Sequence, residues 1–211
     1  MLLGLVGSEM CIRDRSYMTQ KKEDIIPKPD GKLEKPVILI GMMGAGKSSI
    51  GKMLAAHIGA HFIDSDTEIE KAAKMTIPEI FKLHGEAYFR EGEKRVFKRL
   101  LKGQPAIIAA GGGAFAYTPT REIILESGFS IWLKVNPETL IRRISKRPEK
   151  RPLLAKGNIE QTISRLMEER YPVYAEADIM VESDDDERPQ TVKVISEILA
   201  NQGILKRSDE T

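Results

Sequence analysis

The sequence lacks several features that define large classes of proteins. Its 211 residues include a single cysteine, Cys11, which excludes an internal disulfide framework and a metal site made only of cysteines. No apolar run approaches the roughly 18 residues of a membrane-spanning helix. A formal net charge of only +2 argues against nucleic-acid binding through bulk positive charge. We therefore expect a cytoplasmic globular protein that binds neither membranes nor nucleic acids.

The first 35 residues differ in character from the rest of the chain. Residues 1–16 contain a short apolar stretch with no basic residue before it, which does not fit a secretory signal peptide. Residues 20–35 are polar and include two prolines and an Asp-Gly pair. We expect a disordered or non-native extension over 1–35, one domain over 36–203 and a loose tail over 204–211.

Apolar segments alternate with helical patterns along this domain. Buried strands are predicted at 37–40, 61–63, 106–110, 129–135 and 177–181. Helices are predicted at 47–58, 68–74, 86–101, 159–171 and 189–200, with further helices beginning near Thr76, Thr118 and Asn136. This alternation predicts an α/β fold with a parallel sheet covered by helices on both faces.

A glycine-rich segment between the first strand and the first helix matches the phosphate-loop pattern. Residues 41–48 fit G-x-x-x-x-G-K-[ST] at every fixed position. Backbone N–H groups of such a loop converge on one anion at the positive end of a helix. Lys47 would reach the β- and γ-phosphates of a nucleotide, and the Ser48 hydroxyl would bind Mg²⁺. The alternative is an ordinary glycine-rich turn. The predicted phosphate-binding residues are Gly44, Ala45, Gly46, Lys47, Ser48 and Ser49.

Two acids follow the second predicted strand. Asp64 and Asp66 lie where the carboxyl ends of parallel strands open onto a common crevice. Because they are two residues apart in an extended segment, we expect them to point the same way. One could lie near a metal ion and the other on a substrate hydroxyl. The alternative is that Asp66 or Ser65 only caps the next helix, and spacing alone does not decide between these roles.

Six blocks, in order, resemble the shikimate kinase family over residues 36–200. They are residues 41–49, Asp64-Ser65-Asp66, Phe89-Arg90 with Glu93, Gly111-Gly112-Gly113, Arg151-Pro152-Leu153-Leu154, and Arg170-Tyr171-Pro172 with Tyr174. The resemblance implies a P-loop kinase of the nucleoside-monophosphate-kinase type, with a five-stranded parallel sheet. It also implies a monomer that uses Mg²⁺ and ATP to phosphorylate the 3-hydroxyl of shikimate, on the route to chorismate and the aromatic amino acids.

The resemblance also implies a role for each site residue. Arg90 and Arg170 would bind the carboxylate of shikimate, and Glu93 would orient Arg90. A planar guanidinium suits this task because it can bind a carboxylate bidentately. Asp66 would contact the hydroxyls as the candidate base, and Asp64 would contact Mg²⁺ through water. The other implied site residues are Gly111, Gly112 and Gly113 beside the substrate, and Arg151 near the transferred phosphate.

A basic segment follows the fourth predicted strand and its helix. Residues 142–156 contain seven basic side chains and one acidic side chain. Such a run is usually a solvated face, but here prolines place much of it in a loop between two helices. We expect residues 146–158 to form a lid that brings Arg151 to the phosphates and excludes water. The resemblance further implies an arginine beside adenine, and either Arg142 or Arg143 fits.

Two other functions are compatible with a phosphate loop. One is a different small-molecule kinase of the same fold, such as a gluconate or nucleotide kinase. The other is a nucleotide-binding regulatory module that has lost catalysis. The arginine pair favours an acceptor that carries a carboxylate, and the presence of all six blocks favours a working enzyme.

Overall fold

Each predicted apolar segment forms a strand in the computed structural model, which describes residues 32–145, 159–183 and 188–206. The central sheet has five parallel strands in the order β3-β4-β2-β5-β6. They are β2 (Val37–Ile40), β3 (His61–Asp64), β4 (Ala106–Ala109), β5 (Phe129–Lys134) and β6 (Ile179–Glu182). Strands β2 and β4 are buried along their whole length, as expected for a sheet covered on both faces. The predicted α/β class is confirmed.

Seven helices connect and cover these strands within the described residues. They are α1 (Lys47–Ile58), α2 (Ser65–Ala73), α3 (Ile77–Leu101), α4 (Thr118–Ser127), α5 (Pro137–Ser145), α6 (Ile159–Tyr174) and α7 (Arg188–Asn201). Local signals explain several of their starts. Thr76 and Glu79 form a reciprocal capping box at α3, and the Asn136 side chain accepts a 2.8 Å hydrogen bond from the backbone N–H of Thr139 in α5. None of the described helices is long and apolar enough to cross a membrane.

The order of the strands places a crevice beside the end of β2. Strand β2 pairs with β4 on one side and with β5 on the other, both in parallel. The connection from β2 to β3 and the connection from β4 to β5 therefore run toward opposite edges of the sheet. In open α/β sheets such a switch point, at the carboxyl ends of the strands, is where ligands bind.

Four elements differ from the sequence predictions by more than one residue. Helix α2 begins at Ser65 rather than at 68, because the Asp64 side chain caps it. The predicted helix at 86–101 is the second half of α3, which is interrupted at Gly85. Helix α6 continues past residue 171, because the buried Tyr174 packs against Phe115 and Trp132. Strand β6 begins at 179 rather than at 177, and the Asp178 carboxylate instead accepts hydrogen bonds from the N–H and hydroxyl of Ser130.

A small second sheet joins the two ends of the described chain. Strands β1 (Lys32–Leu33) and β7 (Leu205–Lys206) pair antiparallel, with Leu33 opposite Leu205. Both leucines are buried, so apolar contact accompanies the short ladder. The described structure thus extends slightly beyond the domain limits of 36 and 203 that the sequence suggests. The predicted lid (146–158), with Arg151, lies outside the described residues.

Candidate active site

The phosphate loop has the backbone that its glycines allow. Gly44 and Gly46 have φ angles of +83° and +92°, which side chains other than glycine rarely adopt. Gly46 is the N-cap of α1 and offers no side-chain oxygen to the first amides of the helix. The Lys47 ammonium donates hydrogen bonds to the carbonyl oxygens of Gly41 (2.8 Å) and Met42 (3.0 Å). This arrangement of amides and one ammonium is suited to a polyphosphate.

Asp64 connects the phosphate loop to the second helix. Its Oδ2 accepts a 2.8 Å hydrogen bond from the Ser48 hydroxyl, and its Oδ1 accepts a 3.1 Å bond from the backbone N–H of Asp66. The expectation that Asp64 and Asp66 share one extended segment is wrong, because α2 already begins at Ser65. The capping residue is Asp64 itself, not Asp66 or Ser65. One carboxylate therefore both caps a helix and contacts the loop.

Ser65 has a role that the sequence analysis missed. It is fully buried, and its hydroxyl oxygen accepts a 3.0 Å hydrogen bond from the backbone N–H of Gly111. This bond ties the start of α2 to the turn that follows β4. A small polar residue between two acids at a strand end was the only signal in the sequence, and it does not reveal a contact 46 residues away.

Asp66 lies between the phosphate loop and the helix α3. Burial is the main cause that raises the pKa of Asp66, and the negative charge of Asp64 acts in the same direction. The positive charges of Lys47 and Arg90 oppose this rise. A carboxylate whose pKa is raised in this way accepts a proton more readily, which suits a general base.

Arg90 is held by two carboxylates of the same helix. Its Nη1 donates to Glu93 Oε2 at 2.8 Å, and its Nε and Nη2 donate to Glu86 Oε1 at 3.2 and 3.1 Å. The Glu93 side chain is 1% exposed, and burial raises its pKa to about 7 despite the positive charge of Arg90. Glu93 therefore fixes the guanidinium from the protein interior.

The glycine turn after β4 packs directly against these charged groups. A Cβ atom at Gly111 would lie 2.5 Å from Oδ1 of Asp66, and one at Gly113 would lie 2.6 Å from Nη2 of Arg90. No side chain fits at either position unless its neighbour moves. The turn and the two charged side chains thus form one packed unit.

Helix α6 reaches the same turn from the other side. The carbonyl oxygen of Gly112 accepts hydrogen bonds from Arg170 Nη1 (2.9 Å) and from the Tyr174 hydroxyl (2.6 Å). Asp66, Arg90 and Arg170 therefore all meet the turn of residues 111–113. Two guanidinium groups and one carboxylate beside a phosphate loop can bind an anionic acceptor that also carries hydroxyl groups.

The structure distinguishes the two arginines near the end of α5. Arg143 Nη1 donates a 3.1 Å hydrogen bond to the carbonyl oxygen of Gly44 in the phosphate loop. Arg142 Nη2 lies 3.4 Å from the hydroxyl of Thr139 on its own helix. Arg143 therefore contacts the phosphate loop.

The fold and the phosphate loop together define a P-loop kinase of the α/β class. A family model described as shikimate kinase matches residues 43–201. The shikimate kinase of Rhodopseudomonas palustris is 53% identical over 152 residues, which are 72% of this chain and 74% of that protein. That of Paramagnetospirillum magneticum is 46% identical over 175 residues, 83% of this chain and 89% of the relative.

Solved structures agree with the relatives. The shikimate kinase of Acinetobacter baumannii in complex with shikimate has a TM-score of 0.73 and 37% identity, and covers 79% of this chain and 94% of its own. The enzyme of Bacteroides thetaiotaomicron has a TM-score of 0.73 and 30% identity, with coverage of 79% and 98%. The chain belongs to the shikimate kinase family. It is an enzyme that phosphorylates shikimate with ATP, a step toward the aromatic amino acids, which confirms the predicted family and activity.

Proposed function

We propose that the reaction takes place around the turn of residues 111–113, where the 3-hydroxyl of shikimate receives the γ-phosphoryl group of ATP. The position of Asp66 is the observation that supports this site most. The positive charges of Lys47, in the phosphate loop, and of Arg90, in α3, both act to lower the pKa of its carboxyl group, so Asp66 lies near both. An acceptor bound through its carboxylate to Arg90 would thus have its hydroxyls between Asp66 and the nucleotide.

The substrate's carboxylate is bound by the two arginines. A guanidinium has five N–H donors, and Arg90 uses three of them on Glu93 and Glu86. Arg170 uses Nη1 to hold the carbonyl oxygen of Gly112, which fixes its side chain at the edge of the turn. Both guanidinium groups are therefore oriented before the substrate binds, which lowers the entropic cost of binding.

The nucleotide is bound by the phosphate loop and α1. Lys47 exchanges its contacts with the carbonyl oxygens of the loop for contacts with the phosphates. We assign the contact with the adenine to Arg143, since its contact with Gly44 places it beside the loop that holds the nucleotide. Arg151, which lies outside the described residues, would stabilise the charge of the transferred group. The residues proposed to surround the phosphates are Gly44, Ala45, Gly46, Lys47, Ser48 and Ser49.

Two oxygen-bearing side chains, one at the end of the phosphate loop and one at the end of β3, fit a magnesium ion. Mg²⁺ prefers oxygen ligands and retains several of its water molecules. The Ser48 hydroxyl and the Asp64 carboxylate are two oxygen groups that lie within 2.8 Å of each other at the phosphate loop. Ser48 would bind the ion directly and Asp64 through water. When bound, the ion would neutralise part of the charge on the phosphate oxygens.

Asp66 acts on the acceptor hydroxyl. It accepts a hydrogen bond from the hydroxyl, orients it, and takes its proton as the phosphoryl group is transferred. Most of the rate enhancement comes from positioning and from electrostatic stabilisation, because phosphoryl transfer needs little covalent chemistry from the protein.

We also propose that the enzyme acts as a monomer in the cytoplasm. Sedimentation would test the oligomeric state, and cell fractionation would test the localisation.

A coupled assay of ADP release, with and without shikimate, tests this assignment. Arg90→Lys keeps the positive charge but loses the bidentate geometry, so the KM for shikimate should rise about 10- to 100-fold. The KM for ATP should stay within about two-fold of the wild-type value. Arg95→Lys, at an exposed arginine of the same helix, is the matched control. Equal losses of affinity for both substrates in Arg90→Lys would contradict the assignment.

A further inference from the structure

The two carboxylates that hold Arg90 differ sharply in exposure. The side chain of Glu93 is 1% exposed, whereas that of Glu86 is 66% exposed. A buried ion pair is costly to break, because one charge would be left without a partner in a poorly solvated position. In the other pair only the Glu86 carboxylate is well exposed, so water can replace its contacts at little cost while Arg90 keeps Glu93. Glu86 is therefore the partner that can leave Arg90.

The backbone around Glu86 favours such an exchange. Gly85 has φ +80° and ψ 177° inside α3, so Glu86 begins the second helical segment. A Cβ atom at Gly85 would meet nothing within 4 Å, so the glycine is needed for its backbone conformation and not for space. A carboxylate in the first turn of a helical segment is also stabilised by the helix dipole. Glu86 thus remains well accommodated after it leaves Arg90.

Glu86 occupies an edge of the guanidinium that a substrate could use. Its Oε1 accepts from both Nε and Nη2, and these two donors form one of the edges on which arginine binds a carboxylate bidentately. With Glu86 and Glu93 both bound, Arg90 already has two carboxyl partners. The carboxylate of a substrate therefore binds Arg90 more strongly once Glu86, the exposed partner, has left.

We propose that Glu86 is an internal competitor for the carboxylate of shikimate: it pairs with Arg90 in the free enzyme and is displaced when the substrate binds. This inference rests on the proposed role of Arg90 in binding that carboxylate. Glu86 keeps the guanidinium paired and oriented before binding, and it weakens the apparent affinity for shikimate by about two- to five-fold, the weight of an exposed ion pair.

The test compares Glu86→Gln with Glu91→Gln by calorimetric titration of shikimate. Glu91 is also exposed on α3, and its substitution changes the net charge equally, but it contacts Lys94 and Tyr117 instead of Arg90. Relative to Glu91→Gln, the variant Glu86→Gln should bind shikimate about two- to five-fold more tightly. The methyl ester of shikimate, which has no carboxylate to compete, should show no such gain.

Two results would overturn the inference. If Glu86→Gln binds shikimate no more tightly than Glu91→Gln, Glu86 does not compete, and weaker binding would show that it positions Arg90 instead. An equal gain for the methyl ester would also contradict it, because the competition would then not involve the carboxylate. Arg90→Lys separates this failure from that of the proposed function. If Arg90→Lys loses affinity for shikimate while Glu86→Gln gains none, only the proposed competition by Glu86 is wrong. If Arg90→Lys loses no affinity, the proposed role of Arg90 in binding the carboxylate is wrong.

Discussion

Replacement of Gly113 by alanine probes how the glycine turn and Arg90 fit together. The new Cβ would lie 2.6 Å from Nη2 and 3.0 Å from Nη1 of Arg90, whereas ordinary van der Waals contact begins at 3.4 Å. The guanidinium must therefore move by about 0.8 Å, the difference between 3.4 and 2.6 Å. Its 2.8 Å bond to Glu93 would lengthen to as much as about 3.6 Å, which is no longer a hydrogen bond.

The consequence should appear in substrate binding more than in stability. A misplacement of about 1 Å in a positioned group can cost about 100-fold, so the KM for shikimate in Gly113→Ala should rise about 10- to 100-fold. The free energy of unfolding should fall by only about 1–2 kcal/mol, because at about 3.6 Å Arg90 and Glu93 lose their hydrogen bond but remain an ion pair. The KM for ATP should change little, since the contacts of the phosphate loop are not altered.

Gly112→Ala is the matched control in the same turn. A Cβ atom there would lie 3.5 Å from the backbone nitrogen of Met43 and 3.8 Å from Nη1 of Arg170, both ordinary contacts. Steady-state assays with shikimate varied at saturating ATP, together with thermal unfolding, should separate the two variants. If Gly112→Ala raised the KM for shikimate as much as Gly113→Ala, or if neither raised it, the close contact with Arg90 would not matter for binding.

Two further predictions concern Lys47 and Glu93. Lys47→Ala should abolish turnover and leave the thermal unfolding transition in place, because the lysine acts on the phosphates. Measurable turnover would refute this. The control is Lys52→Ala, at an exposed position of α1. Burial raises the pKa of Glu93 from its ordinary 4.5 to about 7, so between these values the folded protein holds a proton that the unfolded chain has lost, and stability falls as the pH rises. Glu93→Gln removes this pH dependence. The Tm of the variant minus the Tm of the wild type should therefore increase between about pH 5 and about pH 8. A difference that stays constant over this range would contradict the raised pKa.

Much of the architecture follows from local patterns. The apolar segments around Ile38, Ile107 and Ile131 are continuous because these strands are buried on both faces of the sheet. The capping box at Thr76 is equally local, since its hydrogen bonds join residues three apart. Such features need no knowledge of the tertiary fold, which is why the sequence predicts them well.

The contacts that complete the site depend on tertiary structure. Ser65 meets Gly111, and Arg170 meets Gly112, across 46 and 58 residues of sequence. The contact of Arg143 with Gly44 likewise depends on the position of the phosphate loop relative to α5. The pair of Glu86 and Arg90 is an exception, because residues four apart on one helix meet without any help from the tertiary fold.

A crystal structure with shikimate and a non-hydrolysable ATP analogue would show whether Arg90, Arg170 and Asp66 hold the substrate. We expect the carboxylate of shikimate within hydrogen-bonding distance of the guanidinium groups of Arg90 and Arg170. Its 3-hydroxyl should lie beside Asp66 and face the γ-phosphate. A carboxylate bound away from both arginines, or a 3-hydroxyl remote from Asp66, would contradict it.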